Sequence, residues 1–148
     1  MSADATNAAL SALVTRIDLA TQQICADAAH LFEAAGKKNA PVGVSGNSTN
    51  APGDLRRSII VDGPHALGVH VYTAQVGPTT IYGRQRELGG DIYPVRARSL
   101  AFTKFGNFVL TGHVYQKPEP YMLPAYVEVL PTLPAVAKTR LAAAIQGI

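Results

Sequence analysis

The chain of 148 residues is 47% hydrophobic, which gives it the length and apolar content of one core-forming domain, 1–148, and excludes disorder as its main state. Only 16% of its residues are charged, against about 25% in a typical globular domain, which predicts an apolar surface and a self-associating protein. The net charge of +3 is mildly basic and unevenly spread, with eight Lys or Arg against four carboxylates between Asp54 and Lys117.

In chain order, apolar residues from Leu10 to Leu31 recur at steps of three and four, which predicts a long amphipathic helix over 8–32. Gly36 is placed to end it, and Lys37 and Lys38 suit the negative end of its dipole. Residues 39–53 hold Pro41, Gly43, Gly46, Pro52 and Gly53 among small polar residues and read as a long flexible loop. Segments 58–61 and 68–76 are rich in β-branched and aromatic residues and predict a hairpin turning at Asp62-Gly63-Pro64. Segment 79–88 places Ile81, Arg84, Gln85 and Leu88 at helical steps before Gly89-Gly90, a short helix stopped by glycine. Strands over 95–102 and 108–115 follow, joined by a hairpin turn around Lys104-Phe105-Gly106-Asn107. Segments 124–130 and 133–145 are helical in composition, with a break where Pro131 and Pro134 remove backbone donors. Together these predict an α+β fold: a small antiparallel sheet of about four strands, a long N-terminal helix, a short central helix and a C-terminal helix.

No apolar run approaches the ~20 residues of a membrane span, and the start Met1-Ser2-Ala3-Asp4 lacks the basic and apolar regions of a secretion signal. No membrane association and a cytoplasmic origin are therefore expected. The lone Cys25 reads as a small core residue, and His30, His65, His70 and His113 lack the paired spacing of a zinc site. No serine sits in a nucleophile elbow, no Cys-His pattern is legible, and paired carboxylates are scarce. No enzyme, metal or cofactor is expected.

Two segments stand out. In Gly53-Asp54-Leu55-Arg56-Arg57-Ser58-Ile59, a glycine leads into a strand where Arg56 and Arg57 would face opposite sides. One of them could grip a phosphate or a partner's carboxylate, or pair within the chain with Asp54, Asp62 or Glu87. In Tyr82 to Gly90, Glu87 can pair with Arg84 or Arg86 on a short helix. That helix is either a solvated face or a charged subunit joint.

The order of these motifs resembles the neck and tail-completion (head–tail joining) proteins of long-tailed bacteriophages. The resemblance is carried by Ala40-Pro41-Val42, Leu55-Arg56-Arg57-Ser58-Ile59, Tyr82 to Gly89, Ala97 to Phe102, and Pro120-Tyr121-Met122-Leu123-Pro124-Ala125. It spans almost the whole chain, with a longer loop over 44–52 and Pro131 and Pro134 as departures. It implies a non-enzymatic virion component, assembled in the bacterial cytoplasm into a homo-oligomeric, commonly hexameric ring at the head–tail junction. Its partners would be the connector and tail-tube or tail-terminator proteins. On that reading Leu55, Arg56, Arg57, Tyr82, Arg84, Arg86, Glu87, Pro120 and Tyr121 are expected at subunit or partner interfaces, and Arg96 and Arg98 at genomic DNA in the lumen. The alternatives are a tail terminator ring capping the tube and a small basic nucleic-acid-binding module.

Overall fold

An alanine-rich, proline-free stretch with strong helix propensity opens the chain, and it forms a helix longer than the apolar periodicity alone marks. The computed structural model describes residues 3–43, 51–104 and 106–146. Helix α1 covers Ala3–Asn39, with Asp4 in its first turn and Lys37 and Lys38 in its last, as the dipole favours. Gly36 does not end it. A Cβ there would lie 2.9 Å from Met122 Sδ, so glycine serves close approach rather than termination.

After α1 come α2 (Asp54–Ser58), β1 (Ile59–Gly68), β2 (Val71–Pro78), α3 (Gly83–Leu88), β3 (Gly90–Ile92), β4 (Leu100–Lys104), β5 (Asn107–Thr111), β6 (Val114–Gln116) and α4 (Met122–Val129). A 3-10 turn at Leu130–Thr132 then leads into α5 (Leu133–Ile145), so the break expected at Pro131 and Pro134 is present. The fold is α+β with a long N-terminal helix, small antiparallel sheets and a C-terminal helix. Among the described residues the strands form three two-stranded ladders, β1 with β2, β3 with β6 and β4 with β5, where the sequence predicts a single sheet of about four strands.

The ladders stay separate because local contacts interrupt the longer strands expected. The 108–115 strand breaks at Gly112-His113, where Thr111 Oγ1 donates to the His113 carbonyl at 2.9 Å. The expected 95–102 strand begins only at Leu100. The predicted β4–β5 hairpin is present, with Lys104 opposite Asn107 and Gly106 at φ 81°. The first hairpin turns at Val69-His70, not at Asp62-Gly63-Pro64. Those three residues lie inside β1, where Gly63 at φ 118° adopts a backbone conformation that side chains disfavour and sits against the β2 backbone at Thr73 and Ala74. Of the loop expected over 39–53, Asn39 ends α1, Ala40 is buried, and 44–50 lie outside the described residues.

Two compact units result, one of Met1–Ala35, Val61–Val76 and Tyr126–Ile148, the other of Gly36–Ile60 and Gly77–Ala125. Within the first, Phe32 stacks on Tyr126 with centroids 5.8 Å apart, and Arg140 grips Asp27 with two bonds of 2.7 and 3.0 Å. Asp18 on α1 accepts from the Tyr72 hydroxyl at 2.8 Å, and its other oxygen lies 2.8 Å from His70 Nδ1. These contacts, the Tyr72 bond foremost, hold the Asp18 carboxyl below its ordinary value of 3.8.

A depressed folded-state value means that Asp18 stabilises the fold above the ordinary carboxyl range and loses this effect as pH falls through the folded value. The difference in urea midpoint between wild type and Asp18→Asn is therefore expected to narrow below pH 3.8. A difference that widens on acidification would contradict the assignment.

Candidate functional site

The second unit brings together the two motifs that lie more than thirty residues apart, Tyr82 to Gly90 and Pro118 to Ala125. Helix α4 begins without a local capping side chain, since Pro118, Glu119 and Pro120 precede Tyr121. Its first amide groups need acceptors. Glu87, from α3, supplies them: Oε2 accepts from the backbone N–H of Tyr121 at 2.7 Å and of Met122 at 3.0 Å, and Oε1 from Leu123 at 3.0 Å. A carboxylate at this end also meets the positive pole of the helix dipole.

Three further bonds fasten the same elements. Arg86 Nη1 donates to Glu119 Oε2 at 2.8 Å, while the Glu119 N–H donates back to the Arg86 carbonyl at 2.8 Å. The Tyr121 hydroxyl donates to the Gly83 carbonyl at 3.2 Å. Tyr121 is buried, and this burial, with the nearby Glu87 charge and then Tyr82, pushes its phenol up to about 12. The glycines are steric requirements of this arrangement. A Cβ on Gly83 would fall 2.4 Å from Pro78 Cγ, and one on Gly89, at φ 65°, would fall 2.7 Å from the Gln116 carbonyl oxygen.

Arg56 and Arg57 sit on α2, a helical turn instead of the expected strand. Gly53 enters it at φ 82°, the Asp54 carboxylate accepts from the Ala51 N–H at 2.6 Å, and Ser58 Oγ donates back to the Leu55 carbonyl at 2.8 Å. These local bonds favour a turn over an extended ladder. Arg57 pairs with Asp54, one of the intrachain partners considered above, and Arg56 reaches the Ala40 carbonyl at 3.4 Å. Leu55 is buried.

Leu55, Tyr82 and Arg86 line one cleft of about 620 Å³ together with Asp54, Gln116 and Glu119. Its charged groups engage one another or a neighbour, Arg86 with Glu119 and Asp54 with Arg57. Glu87 and Tyr121 do not line this cleft. The expected pairing of Glu87 with Arg84 or Arg86 is not formed, because its carboxylate is taken by backbone amides and Arg86 by Glu119. Arg84, Pro120, Arg96 and Arg98 are exposed. Glu119 was not singled out in the sequence, where its flanking prolines were the one signal that the helix start there lacks local caps.

Among the described residues no group of three His, Cys, Asp or Glu side chains is placed to hold a metal ion, and no helix is long and apolar enough to cross a membrane. No known protein family, curated protein or solved structure matches this chain.

Removing the cap by Glu87→Ala is expected to cost about 2 kcal/mol in urea unfolding, since three amide donors lose a charged acceptor. Exchanging charges in Arg84→Glu/Glu87→Arg should not recover this loss; recovery would mean that the two side chains pair. Tyr121→Phe is expected to cost about 1 kcal/mol. It should also abolish an alkaline transition. Because the folded-state phenol value is the higher one, Tyr121 contributes fully below pH 10.0 and loses that contribution as pH rises through about 12. An ultraviolet titration of the tyrosines showing equal alkaline limbs in both proteins would refute this.

Proposed function

We propose that this chain is a structural component of a phage virion, a neck or tail-completion subunit that assembles into a ring at the head–tail junction. The observation that carries the proposal is an inversion of the usual distribution of apolar size. Alanines at 20, 29, 35, 40 and 125 make up much of the buried set, while large apolar side chains stand in solvent. Ile81 is 100% exposed, Val95 96% and Val69 83%. Such exposure is costly in an isolated subunit and is relieved when neighbours cover it.

The separate ladders support the same reading. A two-stranded ladder is marginal by itself, and packing against a neighbour makes it secure. A closed ring needs two different complementary faces on each subunit, and exposed apolar residues are found in both compact units. The motif order described above supplies the head–tail context. Arg84 and Pro120 are the expected residues best disposed for a joint, while Glu87 and Tyr121 serve the subunit's own scaffold. Arg96 and Arg98 are exposed and fit a lumen, where contact with passing DNA would be through phosphates and indifferent to sequence. The mechanism is geometric matching of tail tube to connector. A tail terminator ring would use the same subunit, and imaging of labelled virions separates the two by position: a neck ring lies between connector and terminator, a terminator on the last ring of the tube.

Sedimentation and negative-stain microscopy of the purified protein, alone and with tail tubes or connectors, test the ring. Closed oligomers are expected in at least one of these conditions. Ile81→Glu or Val69→Glu should block them while leaving the subunit's circular dichroism and melting unchanged. A protein that remains monomeric and binds neither tubes nor connectors overturns the proposal.

A further inference from the structure

The β3–β6 ladder carries an aromatic face that is scattered in the sequence. Its register sets Asp91 opposite Tyr115 and Ile92 opposite Val114. One step further, Tyr93 stacks on His113 with ring centroids 5.7 Å apart and planes 25° from parallel. Because side chains alternate between the faces of a strand, Tyr93, His113 and Tyr115 share one face, with Asp91 beside them. On β6 burial alternates accordingly, with Val114 and Gln116 half-buried and Tyr115 64% exposed; on the other strand Asp91, Ile92 and Tyr93 are all exposed, Tyr93 more than Ile92 at 62%.

This face lies in the most one-sided stretch of charge in the chain. From 92 to 118 there are four Lys or Arg and no carboxylate. Arg96 and Arg98 follow Tyr93, and Lys117 follows Tyr115; all three are exposed. Cations therefore follow, along the chain, each of the two segments that carry the rings. Flat rings open to solvent, with exposed arginines and a lysine close along the chain, match a polyanion whose bases are free to stack. A duplex offers the phosphates without the free base faces.

We propose that the Tyr93–His113–Tyr115 face binds single-stranded nucleic acid without sequence preference, bases stacking on Tyr93 and Tyr115 and phosphates meeting Arg96, Arg98 and Lys117. The proposal is independent of ring assembly. Asp91 opposes it locally, by repelling a phosphate that passes Tyr115.

Fluorescence anisotropy of the full chain with a labelled oligothymidylate of about 15 nucleotides, and with a duplex of the same length, provides the test. The single strand is expected to bind more tightly than the duplex, with a log–log salt slope of about −2 for three phosphates. Tyr115→Leu, which keeps an apolar side chain in the ladder, should weaken single-strand binding roughly 5- to 100-fold and leave duplex binding unchanged. Arg96→Gln/Arg98→Gln should flatten the salt slope for both. Asp91→Asn should strengthen single-strand binding severalfold, a gain that loss of folding cannot produce. The proposal is overturned by absence of oligothymidylate binding at low salt, or by duplex binding that equals it and is indifferent to Tyr115→Leu. It is equally overturned if Tyr115→Leu disperses a self-associated form without changing oligonucleotide affinity, which would make the face a contact between copies.

Discussion

Three backbone amides at the start of α4 have no acceptor in their own segment, and the Glu87 carboxylate meets all of them from a helix more than thirty residues earlier. Much of the second unit is arranged around that contact. For Glu87 to reach the amides, α3 must end abruptly, which Gly89 accomplishes with its N–H on the Gln85 carbonyl at 2.8 Å. Pro78, packed against Gly83, leaves no room for a side chain at position 83, whose carbonyl accepts from the Tyr121 hydroxyl, and the reciprocal Arg86–Glu119 bonds fix the stretch of chain that leads into α4. A charged acceptor in a partly buried setting stabilises more than a neutral one, so this one carboxylate outweighs the surface ion pairs elsewhere.

Motifs that look functional by residue type can thus be architectural. Tyr82 to Gly90 mixes charge, an aromatic and two glycines, a composition that suggests a binding segment. In the fold, Glu87 is a helix cap, Arg86 a clasp, and Gly83 and Gly89 are points of close approach. Exposed groups include Arg84 of the same segment and, outside it, the apolar side chains of Val69, Ile81 and Val95 and the aromatic face of β3 and β6.

The distribution of apolar size links packing to the proposed assembly. Burying alanine in place of leucine removes little surface from water per residue, so a core rich in alanine contributes modestly, while the large side chains outside remain available for association. Low charge density points the same way, since few charged groups interrupt those exposed surfaces.

What the amino-acid sequence determined by itself is local. Helical periodicity and alanine content specify α1, the turn signal at Gly106-Asn107 goes with the pairing of β4 and β5, and Pro131 and Pro134 break the C-terminal helix, because each effect acts over a few neighbouring residues. Tertiary structure decided what depended on distant partners. Gly36 reads as a helix stop until Met122 is seen above it; Glu87 reads as a partner for Arg84 until α4 brings its bare amides within reach; and Tyr93 and Tyr115 are unrelated until the β3–β6 register sets them on one face. A side chain with several local partners available takes the one that the fold cannot otherwise satisfy, and a backbone donor without an acceptor outcompetes a solvated guanidinium.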